Sequence, residues 1–282
     1  MEQDNFKSVS EIKSKVVSVD NTESRKEPTV ITMTDGVLIP KKSNKHLVTS
    51  WRLTFFGALI LLISLCIFKK DVYWKIFIYV ITGLPTTFEC TIFAIFGAIL
   101  IGIATGLGSS SKNRVINQIC GVYVELIRGI PLLVQLMFLY YALGALIHID
   151  GIVAAIVALS ICFGAYMGEI IRAGIQSIPK GQTEAARALG LSKSQTFFSV
   201  ILPQTIKVVL PAIGNEFISM LKDSSLVSIL ALSDILKRGR EYISRTFLSL
   251  QTMLVVALIY LILTLVLSRL VGLMEERLHK NG

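Results

Sequence analysis

Uncharged apolar runs recur along this chain and are separated by short polar stretches rich in Lys and Arg. The first, Leu53 to Phe68, is bounded by Arg52 on one side and Lys69 and Lys70 on the other. It is short for a membrane span, but the flanking cations can snorkel to the headgroups. Val72 to Leu107 is too long for one span and is broken at Pro85. It divides into an amphipathic interfacial piece, Tyr73 to Gly83, with Trp74 and Tyr79 at headgroup level, and a span from about Leu84 to Leu107. Further spans are predicted at about Val122 to Leu143, Gly151 to Ile171, a broken one at about Lys207 to Leu232, and Thr246 to Ser268. That makes six, each near the roughly 20 residues a helix needs to cross the hydrocarbon. Residues 1–50 mix Ser, Thr, Lys, Glu and Asp without helical or strand period and read as a disordered tail. A secretory signal peptide competes for the first apolar run. The long tail before it and the lack of a small-residue cleavage site argue against that reading.

Composition agrees with the pattern. Of the residues, 53% are hydrophobic and only 17% charged, with a mean hydropathy of +0.67. The expected fold class is an all-α integral membrane protein. The net charge of +9 fits cations flanking spans better than a nucleic-acid partner, so no nucleic acid is expected. Lys41 to Arg52, Lys112 with Arg114, the Arg172 to Lys207 connection and the end with Arg277 and Lys280 fall on one side of six spans, which places both termini in the cytoplasm. Two basic stretches resist this orientation and fall outside: Lys69 with Lys70, and Leu236 to Arg245. The four cysteines, Cys66, Cys90, Cys120 and Cys162, lie singly in or beside apolar runs and read as small core hydrophobes. No HExxH or GxSxG occurs, and His46, His148 and His279 are far apart in sequence, so neither a catalytic centre nor a metal site is expected.

One polar stretch interrupts the apolar pattern. "IPKGQTEAARALGLSKSQ", Ile178 to Gln195, predicts two short helices with a bend between them. Pro179 suits a first turn and Gly190 a stop, and Ser192-x-x-Gln195 has capping-box spacing ahead of the apolar "TFFSVIL" and Pro203. Ala185, Ala186, Ala188 and Leu189 give the first helix a low-profile surface, while Glu184 and Arg187 supply charge. Small side chains permit close approach to a groove on another protein. The alternative is a cytoplasmic loop that is helical without a partner.

Ionisable groups inside spans are costly unless paired or wet, which makes each a functional candidate. Glu89 falls just past Pro85. Glu125 and Arg128 are three residues apart and can form an ion pair near the cytoplasmic end of their helix, and Glu169 with Arg172 repeats the spacing. The fifth span carries Asn215, Glu216, Lys222 and Asp223 among Pro211, Gly214 and short apolar fragments, an interrupted pattern that suits a solute site. Lys222 and Asp223, adjacent in sequence, face different sides. Glu89, Glu169 and Glu216 are the carboxylates expected to approach an ammonium group, since water is scarce there. Gly102-x-x-x-Gly106 and Gly164-x-x-x-Gly168 can mark close helix crossings.

"EAARALGLSKSQTFFSVILP" resembles the EAA motif of binding-protein-dependent ABC importer permeases: Glu-Ala-Ala, then Gly190, an aliphatic at Val200 and the Leu202-Pro203 pair. Three more stretches, "YVELIRGIPLLVQLMFLYYAL" from Tyr123, "GAYMGEIIRAGIQSIPKGQ" from Gly164 and "LPAIGNEFISMLKDSSLVSIL" from Leu210, resemble the polar-amino-acid branch with its histidine, glutamine and arginine permeases. The resemblance covers roughly Leu84 to Leu278. It implies a MetI-like permease domain over 71–278, with a coupling loop at 177–203 and an extra N-terminal transmembrane helix at 51–70 that many family members lack. It implies that Gly181, Glu184, Ala185, Ala186, Arg187 and Gly190 couple to a cytoplasmic ABC ATPase. On the same resemblance ATP and Mg are bound by that ATPase and no cofactor by this chain, in keeping with the absence of GxxxxGK[ST]. The other implied partners are an extracytoplasmic solute-binding protein, a second copy of the chain or a related permease, an amino-acid substrate and membrane lipid. The implied location is the prokaryotic cytoplasmic membrane. Another small solute as cargo, or an ion channel, is the competing reading.

Overall fold

The computed structural model describes residues 33–34, 37–38, 50–144 and 149–280. The tail expected to be disordered lies almost wholly outside the described residues. Within it Met33–Thr34 and Val37–Leu38 form an antiparallel pair with Met33 opposite Leu38. The sequence pattern showed no strand there, although Asp35-Gly36 is a common hairpin dipeptide.

Ser50–Gly282 is one compact unit, and its described elements are helical. They are α1 (Ser50–Phe68), α2 (Lys70–Ile81), α3 (Leu84–Ser109), α4 (Arg114–Gly129), α5 (Leu132–Met137), α6 (Gly151–Gln176), α7 (Lys180–Ala188), α8 (Lys193–Thr196), α9 (Leu202–Asp223), α10 (Ile235–Thr246) and α11 (Ser249–Lys280). Wide π-type turns follow α5 (Phe138–Leu143) and α8 (Phe197–Ile201), and a 3-10 segment, Ser224–Leu230, follows α9. Five helical runs are long and apolar enough to cross a membrane, or six if the bent pair α4–α5 is one span. Residues such as Phe56, Ile60, Phe93, Phe96 and Leu100 are exposed on their outer surfaces, as expected of helices facing lipid tails.

Three predicted spans differ in detail. Val122 to Leu143 is not a straight helix: α4 and α5 meet at 99°. Ile130 precedes Pro131 and adopts the extended backbone that position favours, which ends α4. The carbonyls freed by that ending would be orphaned in hydrocarbon. Buried Gln135 donates to Ile127 O and Ile130 O, both at 2.8 Å. In the fifth span Pro211 does not break the helix, since α9 continues through it to Asp223 and changes only then to the 3-10 segment. The interfacial piece starts at Lys70, before the predicted Tyr73, and leads into α3 with one interruption at Thr82 and Gly83. Lys70–Ser109 is 40 residues, about 60 Å of helix, twice the roughly 30 Å hydrocarbon core. Part of it must lie outside the core, and α2 is the part that packs beside the short amphipathic α10.

That packing is polar at its edges. Tyr79 Oη donates to Glu241 Oε2 at 3.2 Å, Arg238 pairs with Glu241 at 3.3 Å, and the guanidinium of Arg245 stands 5.6 Å from the Tyr79 ring centroid. Asp234 caps α10 by accepting from Lys237 N at 2.9 Å and Leu236 N at 3.1 Å. Burial nevertheless pushes its carboxyl up to about 6.

The centre of the unit is the crossing of α3 and α6. A Cβ on Gly106 would lie 2.8 Å from Gly168 O, and one on Gly164 would lie 2.6 Å from Ile101 Cγ2. The two GxxxG stretches therefore face each other and let the backbones touch. Ser160 Oγ adds a bond to Ala94 O at 3.1 Å across the same seam. Cys90 and Cys162 are buried in this core, as small apolar residues would be, while Cys66 and Cys120 are half-buried.

Candidate functional site

Two places concentrate chemistry that packing alone does not use. The first is the loop between α6 and α9. Pro179 stands at the N-cap of α7, one position before the predicted first turn. At the other end Gly190 N donates to Arg187 O at 3.0 Å and Leu191 N to Ala186 O at 3.2 Å. This paired closure requires a left-handed residue, and Gly190 supplies it at φ +83°. The capping box forms as the spacing predicted: Gln195 N donates to Ser192 Oγ at 3.2 Å and Ser192 N to Gln195 Oε1 at 2.8 Å. Both ends of α7 are thereby fixed from within the chain.

Fixed ends leave α7 presented outward. Gly181, Glu184, Ala185, Arg187, Ala188 and Gly190 are exposed, and Leu189 is 83% exposed. Ala186 is the exception. It is 4% exposed because it faces the turn at Phe197–Ile201, so it seats α7 on its own chain and is not part of the outward surface. A Cβ on Gly181 would meet nothing within 4 Å, so this glycine is not required by the chain's own packing. No ion pair among the described residues engages Glu184. The helix thus offers a protruding Leu, an unpaired carboxylate and a flat alanine flank.

The second place is a cavity of about 330 Å³ inside the bundle. Arg128, Tyr166, Glu216, Ser219 and Asp223 contribute its polar lining, and Pro131, Cys162 and Phe163 are among its apolar walls. Arg128 stands one residue before the end of α4, next to the break before α5, and its side chain is 41% exposed. It does not pair with Glu125 as the spacing suggested. Arg128 instead reaches across to Glu169 on α6, which Arg172 also approaches at 3.6 Å. The kink at Pro131 ends α4 one turn after Glu125 and leaves Arg128 beside α6, with its guanidinium 5.1 Å from the Tyr166 ring centroid.

The other predicted residues divide by location. Glu216 and Asp223 line the cavity, whereas Asn215 and Lys222 are exposed next to them on α9. The separation of Lys222 from Asp223 follows their adjacency in sequence. Glu169 is engaged by two guanidinium groups and lies behind Arg128 instead of in the lining. Glu89 and Glu125 are exposed and contribute nothing to the cavity. Tyr166 and Ser219 were not singled out in the sequence. Tyr166 lies three residues before Glu169, one helical turn away, and that spacing was the available signal. Chemically, the cavity offers one cation and two carboxylates, a set that suits a small zwitterion.

Comparison with known proteins matches this geometry to one family. Residues 98–280 match the model of the family described as "Binding-protein-dependent transport system inner membrane component". The chain is 36% identical over 214 residues to the glutamine transport system permease protein GlnP of Escherichia coli (strain K12), covering 75% of this chain and 98% of that protein. It is 36% identical over 205 residues to the arginine transport system permease protein ArtQ of Bacillus subtilis (strain 168), covering 72% and 94%. Among solved structures it resembles an amino acid ABC transporter crystallised with histidines, at 39% identity and TM-score 0.69 over 74% of this chain and 97% of that one. The inward-facing MetNI methionine ABC transporter shares the fold at 20% identity and TM-score 0.59, over 72% and 95%. Four motifs in order, a capped outward helix between two spans and a charged cavity in the bundle thus coincide with one family: the chain belongs to the binding-protein-dependent transport system inner membrane components and is the permease component of an ABC transporter.

Proposed function

We propose that this permease imports a polar amino acid, driven by ATP hydrolysis on a separate cytoplasmic ATPase that holds the Mg and the nucleotide. The observation that carries the reading is α7, whose ends are fixed by the chain while its outer face is left uncovered. An ATPase cleft takes Leu189 and the alanine flank and pairs a cation with Glu184. A solute-binding protein delivers cargo from outside, and a second copy or a related permease completes the pathway. Closure of the ATPase pulls α7, and α9 follows because α7 packs against the turn at Phe197–Ile201, which runs into α9 without a loop. Both termini are cytoplasmic.

The cavity supports the amino-acid cargo. A substrate α-carboxylate would meet Arg128, and its ammonium would meet Glu216 and Asp223. Relatives named for glutamine and arginine agree with a zwitterion that carries a polar side chain.

The test of coupling uses Glu184→Lys and Gly190→Val in proteoliposomes with ATPase and binding protein. Gly190→Val forces a β-branched residue into the left-handed region. Both variants should insert into the membrane normally, and uptake should fall at least about tenfold while basal ATPase activity persists or assembly is lost. Wild-type uptake in both would refute the coupling assignment.

A further inference from the structure

We infer that the groove between α1 and α2 is a binding site for an anionic phospholipid of the extracytoplasmic leaflet, with one acyl chain in the groove and the phosphate at Lys70. The two helices meet at Lys69, where Lys69 N bonds Leu65 O at 3.1 Å and Tyr73 N bonds Lys69 O at 3.0 Å. They diverge from that point and leave a wedge of about 520 Å³, lined by Leu59, Ile63 and Ile67 of α1 and by Lys70, Trp74 and Phe77 of α2, among others. On their other sides the helices are well packed. Ala58 of α1, and Tyr73, Ile76 and Val80 of α2, share one buried cluster with residues of α10 and α11, and Leu62 of α1 reaches both that cluster and the wedge. The wedge is therefore held open by packing behind it.

Three observations fix the occupant. The lining is apolar except at one end, where Lys70 stands. The apolar stretch from Leu59 to Ile67 rises about 12 Å along α1, close to half of the roughly 30 Å hydrocarbon core, which is the depth of one leaflet. The charge also matches: Lys69, Lys70 and Lys75 are exposed, and no carboxylate among the described residues pairs with them, Asp71 included. A lipid phosphate satisfies Lys70, more strongly where no choline cation on the same headgroup opposes it, and the indole of Trp74 sits at the boundary such rings prefer. This also gives a role to a cationic cluster that the positive-inside pattern leaves unexplained on the outer side.

The chain has two tryptophans, so Trp51→Phe leaves Trp74 as the sole indole reporter beside the groove. The full-length chain in that background is reconstituted in bilayers of phosphatidylcholine and phosphatidylglycerol, with one or the other carrying brominated acyl chains. Bromine in contact with Trp74 quenches its emission. Phosphatidylglycerol should quench with an apparent affinity about fivefold above phosphatidylcholine. The preference should disappear in Lys70→Gln and persist in Lys75→Gln, an exposed lysine that does not line the groove. Equal quenching by both lipids means only the annular lipid any span attracts, and would overturn the proposal. So would an unchanged preference in Lys70→Gln, or absence of quenching by either lipid, which would mean that protein fills the wedge.

Discussion

A guanidinium among apolar helices is costly unless other groups stand in for part of its water, and Arg128, though its side chain is 41% exposed, has several such neighbours. Glu169 pairs with it, the Tyr166 ring covers one face, and the cavity with Glu216 and Asp223 lies on its open side. Glu216 and Asp223 have no ion-pair partner among the described residues, and on the proposed function they are the carboxylates that would meet cargo. Glu216→Gln and Asp223→Asn are each expected to raise the transport Km about tenfold or more, the loss of one charge-assisted hydrogen bond. Glu125→Gln and Glu89→Gln should leave it unchanged. Transport assays across a substrate range check this, and equal Km values in all four variants would remove the cavity from the pathway. The sequence showed that these residues are chemically unusual, because charge inside an apolar run is visible without a structure. It did not show which ones meet. Glu125 and Arg128 looked like a pair at helical spacing, but the choice of Glu169 depends on how α4 lies against α6, which no local pattern records.

At the scale of elements, α3 and α6 are held together by absence of side chains. Gly168 faces Thr105 and Gly106, and Gly106 in turn faces Gly168 O and Ile171. A large residue in that seam must push the helices apart, and overpacking costs typically about 1–3 kcal/mol or more. Gly168→Leu should therefore reduce the amount of folded, monodisperse protein recovered in detergent, whereas Gly181→Ala, in open space, should leave recovery unchanged; size-exclusion profiles of the two variants distinguish them. Helix seams of this kind are half legible. Each GxxxG was visible, but glycine is common in spans, and only the fold shows that the two motifs oppose each other. The loop between α6 and α9 was almost fully legible because its signals are local: Gly190 as the stop, Ser192 and Gln195 as the box. The inward turn of Ala186 was missed for the opposite reason, since it depends on where α9 begins. The 99° break went unread, although Pro131 lies within the predicted span Val122 to Leu143.

At the scale of the molecule, the chain connects two unlike surfaces through one bundle. At one end α7 is uncovered and capped within the chain, and in the bundle the charged cavity borders α9, the helix that continues from that loop. On the proposed function a displacement of α7 would pass through its contact with the turn at Phe197–Ile201 and along the nearly unbroken helical run Lys193–Leu230 to Glu216 and Asp223. A passive channel has no need of such a connection, and the family comparison places the chain among components of ATP-driven systems. The most direct test is uptake of a panel of labelled amino acids into proteoliposomes containing this chain with its ATPase and binding protein, with and without trapped ATP. The expected result is accumulation of one or a few polar amino acids above the external concentration, only with ATP and only with the binding protein present. Equilibration without ATP, or ATP-dependent accumulation of a solute that is not an amino acid, would contradict the account.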